Sequence, residues 1–311
     1  MFKITKSLLI LFVIICASCN KNEPKETKTA GTFINVLGTI QDAGLPQIGC
    51  EKECCKNLFN QKKNELVVSL GIVDNTKSYL FEATPDITKQ LTKLTKYNNS
   101  KNVDGVFLTH AHIGHYTGLM FLGKEAMNAG KTPVYAMPKM KSFLENNGPW
   151  NQLVKTKNID LKLIENNNPV TLSNTLKVTP IIVPHRDEFS ETVGYRIEGP
   201  KKKALFIPDI DKWEKWNTNI IDEIKKVDYA FLDATFYSAK EINNRDISEI
   251  PHPFVIESIN KFKNLSKSEK SKVIFIHFNH TNPIINPNST ETKSVLDKGF
   301  RIARINDVFE L

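Results

Sequence analysis

The sequence predicts one α/β domain with two β-sheets inside and helices outside. Three observations carry that expectation. Short runs of β-branched and aromatic residues alternate with amphipathic stretches from Thr32 onward. The order of strands and helices partly repeats in the second half. No short repeat, low-complexity block or long linker divides the body, so one layered core is the economical arrangement.

Composition fits a folded chain of this kind. The 311 residues, 40% hydrophobic and 24% charged, exclude collagen, coiled coil, a disulfide miniprotein and a wholly disordered polymer. Against 34 acidic side chains stand 42 basic ones, a formal net charge of +8 that is scattered rather than blocked. Such a balance suits a small anionic substrate and gives no specific indication of nucleic-acid binding. Nothing in it fixes an oligomeric state.

The elements follow in chain order. Lys3 and Lys6 precede an apolar run over 8–15, and Ala17 and Ser18 lead into Cys19, so residues 1–18 read as a secretory signal. Small residues running straight into a cysteine resemble the bacterial lipoprotein processing site. That resemblance implies a diacylated Cys19, export, and a lipid anchor to the cell envelope; Cys16 stands where the pattern usually has leucine. Residues 19–31 are polar and form a flexible tether, and 32–311 form the domain. Strands are expected over 32–37, 66–73, 78–83, 103–109, 133–136, 161–165, 176–183, 192–197, 204–207, 229–232 and 272–277. Helices are expected over 86–97, 116–128, 139–145, 213–226 and 253–262.

All seven histidines fall in four short clusters. In His110-Ala111-His112-Ile113-Gly114-His115 three imidazoles follow directly on a strand. Residues two apart in extended chain point the same way, so His110 and His112 can face one ion. Gly114 is expected to turn the chain through its tolerance of positive φ, presenting His115 at a helix start. Three neutral imidazoles suit zinc and leave a position for water. His185, Asp209 and His277 each follow an apolar strand run, where loops gather beyond the carboxyl ends.

With these residues the chain resembles the metallo-β-lactamase superfamily over 32–311. The resemblance implies an αββα sandwich of two mixed sheets flanked by helices, with a one- or two-metal site along one sheet edge. It implies His110, His112 and His185 as first-metal ligands, His115 and His277 as second-metal ligands, and Asp209 as the bridge. Glu82 stands where an outer carboxylate supports the histidine loop. One departure matters: the family's aspartate before the last histidine of the motif is Gly114 here. One tightly bound metal is therefore expected, with a weaker second held by His115, His277 and Asp209. Asp211 or Asp187 are the available substitutes.

Cys50, Cys54 and Cys55 are one ligand short of a structural zinc set, and His280 is the candidate fourth. A disulfide from Cys50 to Cys54 or Cys55 is the alternative, because exported thiols oxidise. The arrangement resembles two branches of the superfamily, the pyrroloquinoline quinone biosynthesis protein B family and the cyclic phosphodiesterase of phosphonate breakdown. Both carry an early cysteine knuckle and a late histidine on one zinc. Further matches to the first are Asp42-Ala43-Gly44, Pro46-Gln47, Thr84-Pro85-Asp86, Leu232-Asp233-Ala234 and Asn279-His280-Thr281-Asn282-Pro283.

The chemistry expected is hydrolysis of a phosphodiester or related ester. A zinc held by three neutral imidazoles lowers the pKa of bound water from about 15.7 to about 7, giving a hydroxide nucleophile. Asp209 would orient it, His115 or His252 would move a proton, and Arg186 would contact the anion. Iron or manganese are further candidates for the metal. Rival readings are an iron-dependent hydroxylase, as the quinone-cofactor branch implies, and a non-catalytic metal- or ligand-binding envelope lipoprotein. The cysteine knuckle points away from β-lactam hydrolysis.

Overall fold

The computed structural model describes residues 31–60, 65–98, 100–186, 188–242 and 246–311. The signal, Cys19, tether residues 19–30 and Asp187 lie outside them. The strand β1 (Thr32–Gly38) is buried along its whole length because alternate side chains serve different layers. Ile34 and Val36 enter the space between the sheets, while Phe33 and Leu37 enter a second core beneath helices.

After β1 come α1 (Glu53–Lys56), β2 (Ser69–Asp74), β3 (Lys77–Phe81), α2 (Ile87–Asn98), β4 (Gly105–Phe107), α3 (Ile113–Tyr116) and β5 (Thr132–Ala136). Then follow α4 (Pro138–Asn146), α5 (Trp150–Lys155), β6 (Ile159–Leu163), β7 (Val170–Thr171), β8 (Lys177–Ile182), β9 (Val193–Glu198) and β10 (Lys203–Ile207). The chain closes with α6 (Ile220–Lys225), β11 (Tyr229–Asp233), α7 (Val255–Lys261), α8 (Lys267–Lys270), β12 (Val273–Ile276), α9 (Thr290–Asp297), β13 (Arg301–Ile302) and β14 (Val308–Glu310).

One sheet has the order β14-β1-β2-β3-β4-β5-β6 and the other β13-β12-β11-β10-β9-β8-β7. In the first, β1, β2 and β3 pair antiparallel and β3 to β6 parallel. In the second, β7 to β10 pair antiparallel and β10 to β13 parallel. The partial repeat expected from the sequence is thus a repeat of topology. Helices α2, α4 and α5 cover the first sheet through Leu94, Leu144 and Trp150; α6, α7 and α9 cover the second through Ile224, Val255 and Val295. The result is the αββα sandwich.

Between the sheets, Tyr135, Phe107 and Phe81 form a face-to-face column with centroid spacings of 4.2 and 4.8 Å. Tyr195 from β9 meets Phe81 edge-on at 5.3 Å, and its hydroxyl donates to the carbonyl of Leu108. One residue on, Val193 N–H donates to Thr109 O at 3.1 Å. Two bonds from the second sheet therefore fix the stretch that delivers His110.

Two expected helices are broken for identifiable reasons. Over 116–128 only α3 and a 3₁₀ turn, Thr117–Leu122, are helical. Here Gly118 N–H donates to Ala83 O at 2.8 Å and Ala83 N–H to His115 O at 2.9 Å, so this backbone bonds to the β3 exit instead of continuing a helix. Over 213–226 a 3₁₀ turn, Trp213–Lys215, is separated from α6 by Trp216, Asn217, Thr218 and Asn219. Asn219 caps α6 by accepting Ile221 N–H at 3.0 Å.

The pairing pattern sets the site. Strands β1, β3 and β4 run parallel to one another, as do β8, β10, β11 and β12. Their carboxyl ends open on the same edge of the sandwich, where the histidines gather. Replacing Tyr195 by Phe would strand the buried Leu108 carbonyl at a cost of about 1–3 kcal/mol. Scanning calorimetry should record a Tm lower by roughly 2–4 °C per kcal/mol lost.

Candidate metal centre

The first group is His110, His112, His185 and Asp209, whose donor atoms lie within 4.8 Å of one another. His110 Nε2 stands 2.8 Å from His112 Nδ1 and 3.3 Å from Asp209 Oδ2. Asp209 Oδ1 is 3.2 Å from His185 Nε2. Burial, with the charge on His115, holds His110 well below the usual imidazole range. Burial likewise pushes His112 down to about 4. Both rings are therefore neutral and offer lone pairs, the form a metal needs.

Outer partners orient these rings. Thr109 Oγ1 donates to Glu82 Oε1 at 2.5 Å and faces His110 Nδ1 at 2.8 Å, which leaves His110 Nε2 free for the centre. His185 Nδ1 meets Asp211 Oδ1 at 3.1 Å, and Asp211 is braced by Lys215 at 2.9 Å. Asp211 is thus a support for His185, not a substitute ligand of the second position. Glu82, the expected support, is fully buried and also faces His115 Nδ1 at 3.3 Å.

The second group differs from expectation in one carboxylate. Asp42, His115 and His277 converge, with Asp42 Oδ1 2.8 Å from His115 Nε2 and 3.6 Å from His277 Nε2. Asp209 Oδ2 lies 3.9 Å from His115 Nε2. Burial opposes charge on His115, but Asp42 and Glu82 outweigh it and raise its pKa well above the usual value. His277 is raised to about 9 against its burial by Asp233 and Asp42. These carboxylates draw in positive charge, the charge that a divalent ion would bring. The sequence did not single out Asp42 as a ligand; its signals were the match of Asp42-Ala43-Gly44 to the quinone-cofactor branch and its place in a turn after a strand.

Gly114 corrects a second expectation. Its φ is not positive. It is helical, and it is glycine for lack of room, since an added Cβ would lie 2.4 Å from the Asp42 Cα. The left-handed residues at the site are instead Glu82 (φ 76°) and His277 (φ 67°), each the first residue beyond a strand. Such conformations cost a non-glycine residue on the order of 1–3 kcal/mol.

His252 lies deeper than a position at the site mouth. Its Nδ1 is 2.8 Å from Asp233 Oδ2 and 3.2 Å from Asp209 Oδ1, and the ring is buried between those of His185 and His277. Burial opposes its charge, yet Asp233 and Asp209 hold it well above the usual range. Thr235 Oγ1 joins this network, 2.7 Å from Asp233 Oδ1 and 3.0 Å from His277 Nδ1. Asp233 was not among the expected site residues, although it is an acid at a strand end, the signal that marked Asp209. Arg186 is exposed at the rim, and its charge helps depress His112.

Cys50, Cys54, Cys55 and His280 form a separate four-ligand cluster. The three thiols are free, with Cys54 and Cys55 sulfurs 3.9 Å apart, so the disulfide alternative is not what the structure holds. Burial and the Cys55 and Cys50 sulfurs push the Cys54 thiol up to about 12. His280 Nδ1 is 3.0 Å from Asn279 Oδ1, which leaves Nε2 for the sulfur cluster.

The donor sets fit metal ions. Among the described residues Asp209 Oδ1 and His277 Nε2 are buried atoms without a hydrogen-bond partner, and both face the centre. Lone-pair donors packed this closely are arranged to share a cation.

Known proteins agree with this architecture. The profile of the family described as "Beta-lactamase superfamily domain" matches residues 77–278, more than half of the chain. Coenzyme PQQ synthesis protein B of Acinetobacter baylyi is 24% identical over 293 residues, covering 83% of this chain and 93% of that protein. Its counterpart in Nitrosococcus oceani is also 24% identical, covering 87% and 97%. Zn(2+)-bound PqqB from Methylobacterium extorquens superposes with a TM-score of 0.73 at 20% identity, covering 90% of this chain and 100% of that one. A diphosphatase of the PhnP family superposes with a TM-score of 0.62 at 21% identity, covering 90% and 97%. By its profile match, its paired mixed sheets and its strand-end histidines, the chain belongs to the metallo-β-lactamase superfamily.

Proposed function

We propose that this chain is a metal-dependent hydrolase acting on phosphodiester or related ester bonds of a small anionic substrate. The observation that carries the reading is the convergence of His110 Nε2, His112 Nδ1, His185 Nε2 and Asp209 at one edge of the sandwich. A divalent ion on these donors supplies Lewis acidity, lowering the pKa of a bound water to about 7 and polarising a phosphoryl oxygen.

The remaining work falls to side chains. Asp209, gripped by His252 and His185, keeps its charge and its orientation at the reacting edge. His252, set between Asp233 and Asp209, is placed to pass a proton to or from that carboxylate. Arg186 at the rim offers a planar fork to an anion. Beside His185 lies a cavity of about 550 Å³ lined by Lys139, Arg196, Lys215 and Trp216, large enough for a small molecule. The diphosphatase among the structural relatives supports the phosphoester assignment. We further assign the Cys50, Cys54, Cys55 and His280 cluster to a structural zinc, and the lipoprotein-like start to an exported, lipid-anchored protein.

A second reading, oxidative chemistry at iron, is favoured by the carboxylates Asp42 and Asp233 beside the histidines, a donor set that also suits iron or manganese. Elemental analysis with bis-p-nitrophenyl phosphate and oxygen-electrode assays separates the two. The expected result is ester hydrolysis without oxygen uptake, abolished in His112→Ala with an unchanged circular dichroism spectrum. Oxygen consumption without hydrolysis would replace the first reading by the second. Metal binding with no turnover of esters or phosphodiesters would favour a binding protein.

Glu82→Gln should lower kcat/KM by about 10–100-fold through loss of the orienting contacts to Thr109 and His115. Cys54→Ser should remove a separate, sulfur-bound zinc equivalent. It should lower Tm by several degrees while hydrolysis at low temperature persists, as zinc analysis and calorimetry on the same preparation would show.

A further inference from the structure

The position before His115 lacks the acid that would serve a second ion, yet a carboxylate occupies the space that a side chain there would take. A Cβ added to Gly114 would sit 2.6 Å from Asp42 Oδ1 and 2.7 Å from Asp42 Cβ. The two features are complementary. Gly114 has no side chain because Asp42 fills the volume, and Asp42 arrives from a different strand.

Backbone bonds hold Asp42 in register with the distant histidine it faces. Gly44 N–H donates to Gln41 O at 2.8 Å, closing a turn with Asp42 in its first corner. Gln41 N–H donates to Phe278 O at 2.8 Å, and Phe278 N–H donates to Thr39 O at 2.8 Å. The residues next to these rungs are Asp42 and His277. Behind the facing rings, His277 Nδ1 is hydrogen-bonded to Thr235 Oγ1 at 3.0 Å, and His115 Nδ1 lies 3.3 Å from Glu82 Oε1 in a charge contact. Each Nε2 is thereby turned toward Asp42, and His277 Nε2 is buried without a hydrogen-bond partner.

We propose that Asp42 supplies from the β1 exit the carboxylate that Gly114 cannot, completing a second divalent-ion position with His115 Nε2, His277 Nε2 and the shared Asp209. The inference rests on the reading of the His110–His112–His185–Asp209 group as a metal centre. It replaces the expectation of one tight ion and a depleted second position by a full pair. The second position, with two carboxylates and two imidazoles, has the harder donor set and accepts oxygen-preferring ions such as Mn²⁺.

Manganese is the probe, because the thiolate cluster does not favour it. Full chain produced in zinc-poor, Mn²⁺-supplemented medium is saturated with Mn²⁺ and studied by elemental analysis and low-temperature electron paramagnetic resonance. Wild type is expected to hold two Mn²⁺ per chain with an exchange-coupled spectrum. Asp42→Asn, equal in size, is expected to hold one, with an isolated six-line signal. Gly114→Ala, whose methyl must displace Asp42, is expected to lose the same ion. A coupled pair that persists in Asp42→Asn, or a single isolated ion in wild type, would overturn the role of Asp42 while leaving the first metal centre standing. No bound Mn²⁺ in wild type, and none lost in His112→Ala, would overturn the underlying metal reading instead.

Discussion

Carboxylates buried among imidazoles are the constraint on which this protein depends. Glu82, Asp209 and Asp233 are almost wholly removed from water, and Asp42 is largely so. An ionised carboxylate in such surroundings must have positive charge and hydrogen bonds close by. Five ring systems, from His110, His115, His185, His252 and His277, provide the partners. The sandwich gives this cluster its place, because the carboxyl ends of parallel strands leave a gap that only loops fill. The strained backbone at Glu82 and His277 is tolerated there because the hydrophobic layers on either side over-determine it.

Two layers of control surround the donors. Thr109, Thr235, Glu82 and Asp211 fix which nitrogen each ring presents, and the two sheets fix where the rings stand. Tyr195 and Val193 reach from the second sheet to the backbone just ahead of His110. Phe278 and Gln41 tie the sheets together on the opposite flank. A change in the spacing of the sheets would therefore be felt at the donors before it was felt in the hydrophobic core.

Much of this was legible in the sequence, for a physical reason. Strands buried on both faces read as continuous apolar runs, so their ends are sharp, and a histidine or aspartate at such an end stands out. His110, His112, His185, Asp209 and His277 were visible in that way, and so was the cysteine cluster by its density. Asp42 was not, because its meaning comes from a bridge to Phe278 more than two hundred residues away and from the missing side chain at Gly114. Local patterning has no access to either. Helices α1, α5, α8 and α9 and the short strands β7, β13 and β14 were also missed. Each is too short to carry a clear period, and for the strands the pairing partner rather than composition decides. The helix expected over 213–226 failed where Asn217, Thr218 and Asn219 compete for backbone bonds.

The placement of β14 has an effect on biogenesis. It pairs Phe309 with Ile34 and so shields the outer flank of β1, although it follows every other strand in the chain. Among the described strands β1 is the first to be synthesised, and its second neighbour β14 is the last. Until then one edge of an apolar ribbon keeps its hydrogen-bonding groups open, inviting pairing with other nascent chains. Holdase chaperones that recognise extended hydrophobic segments would find their longest-lived target in residues 32–38.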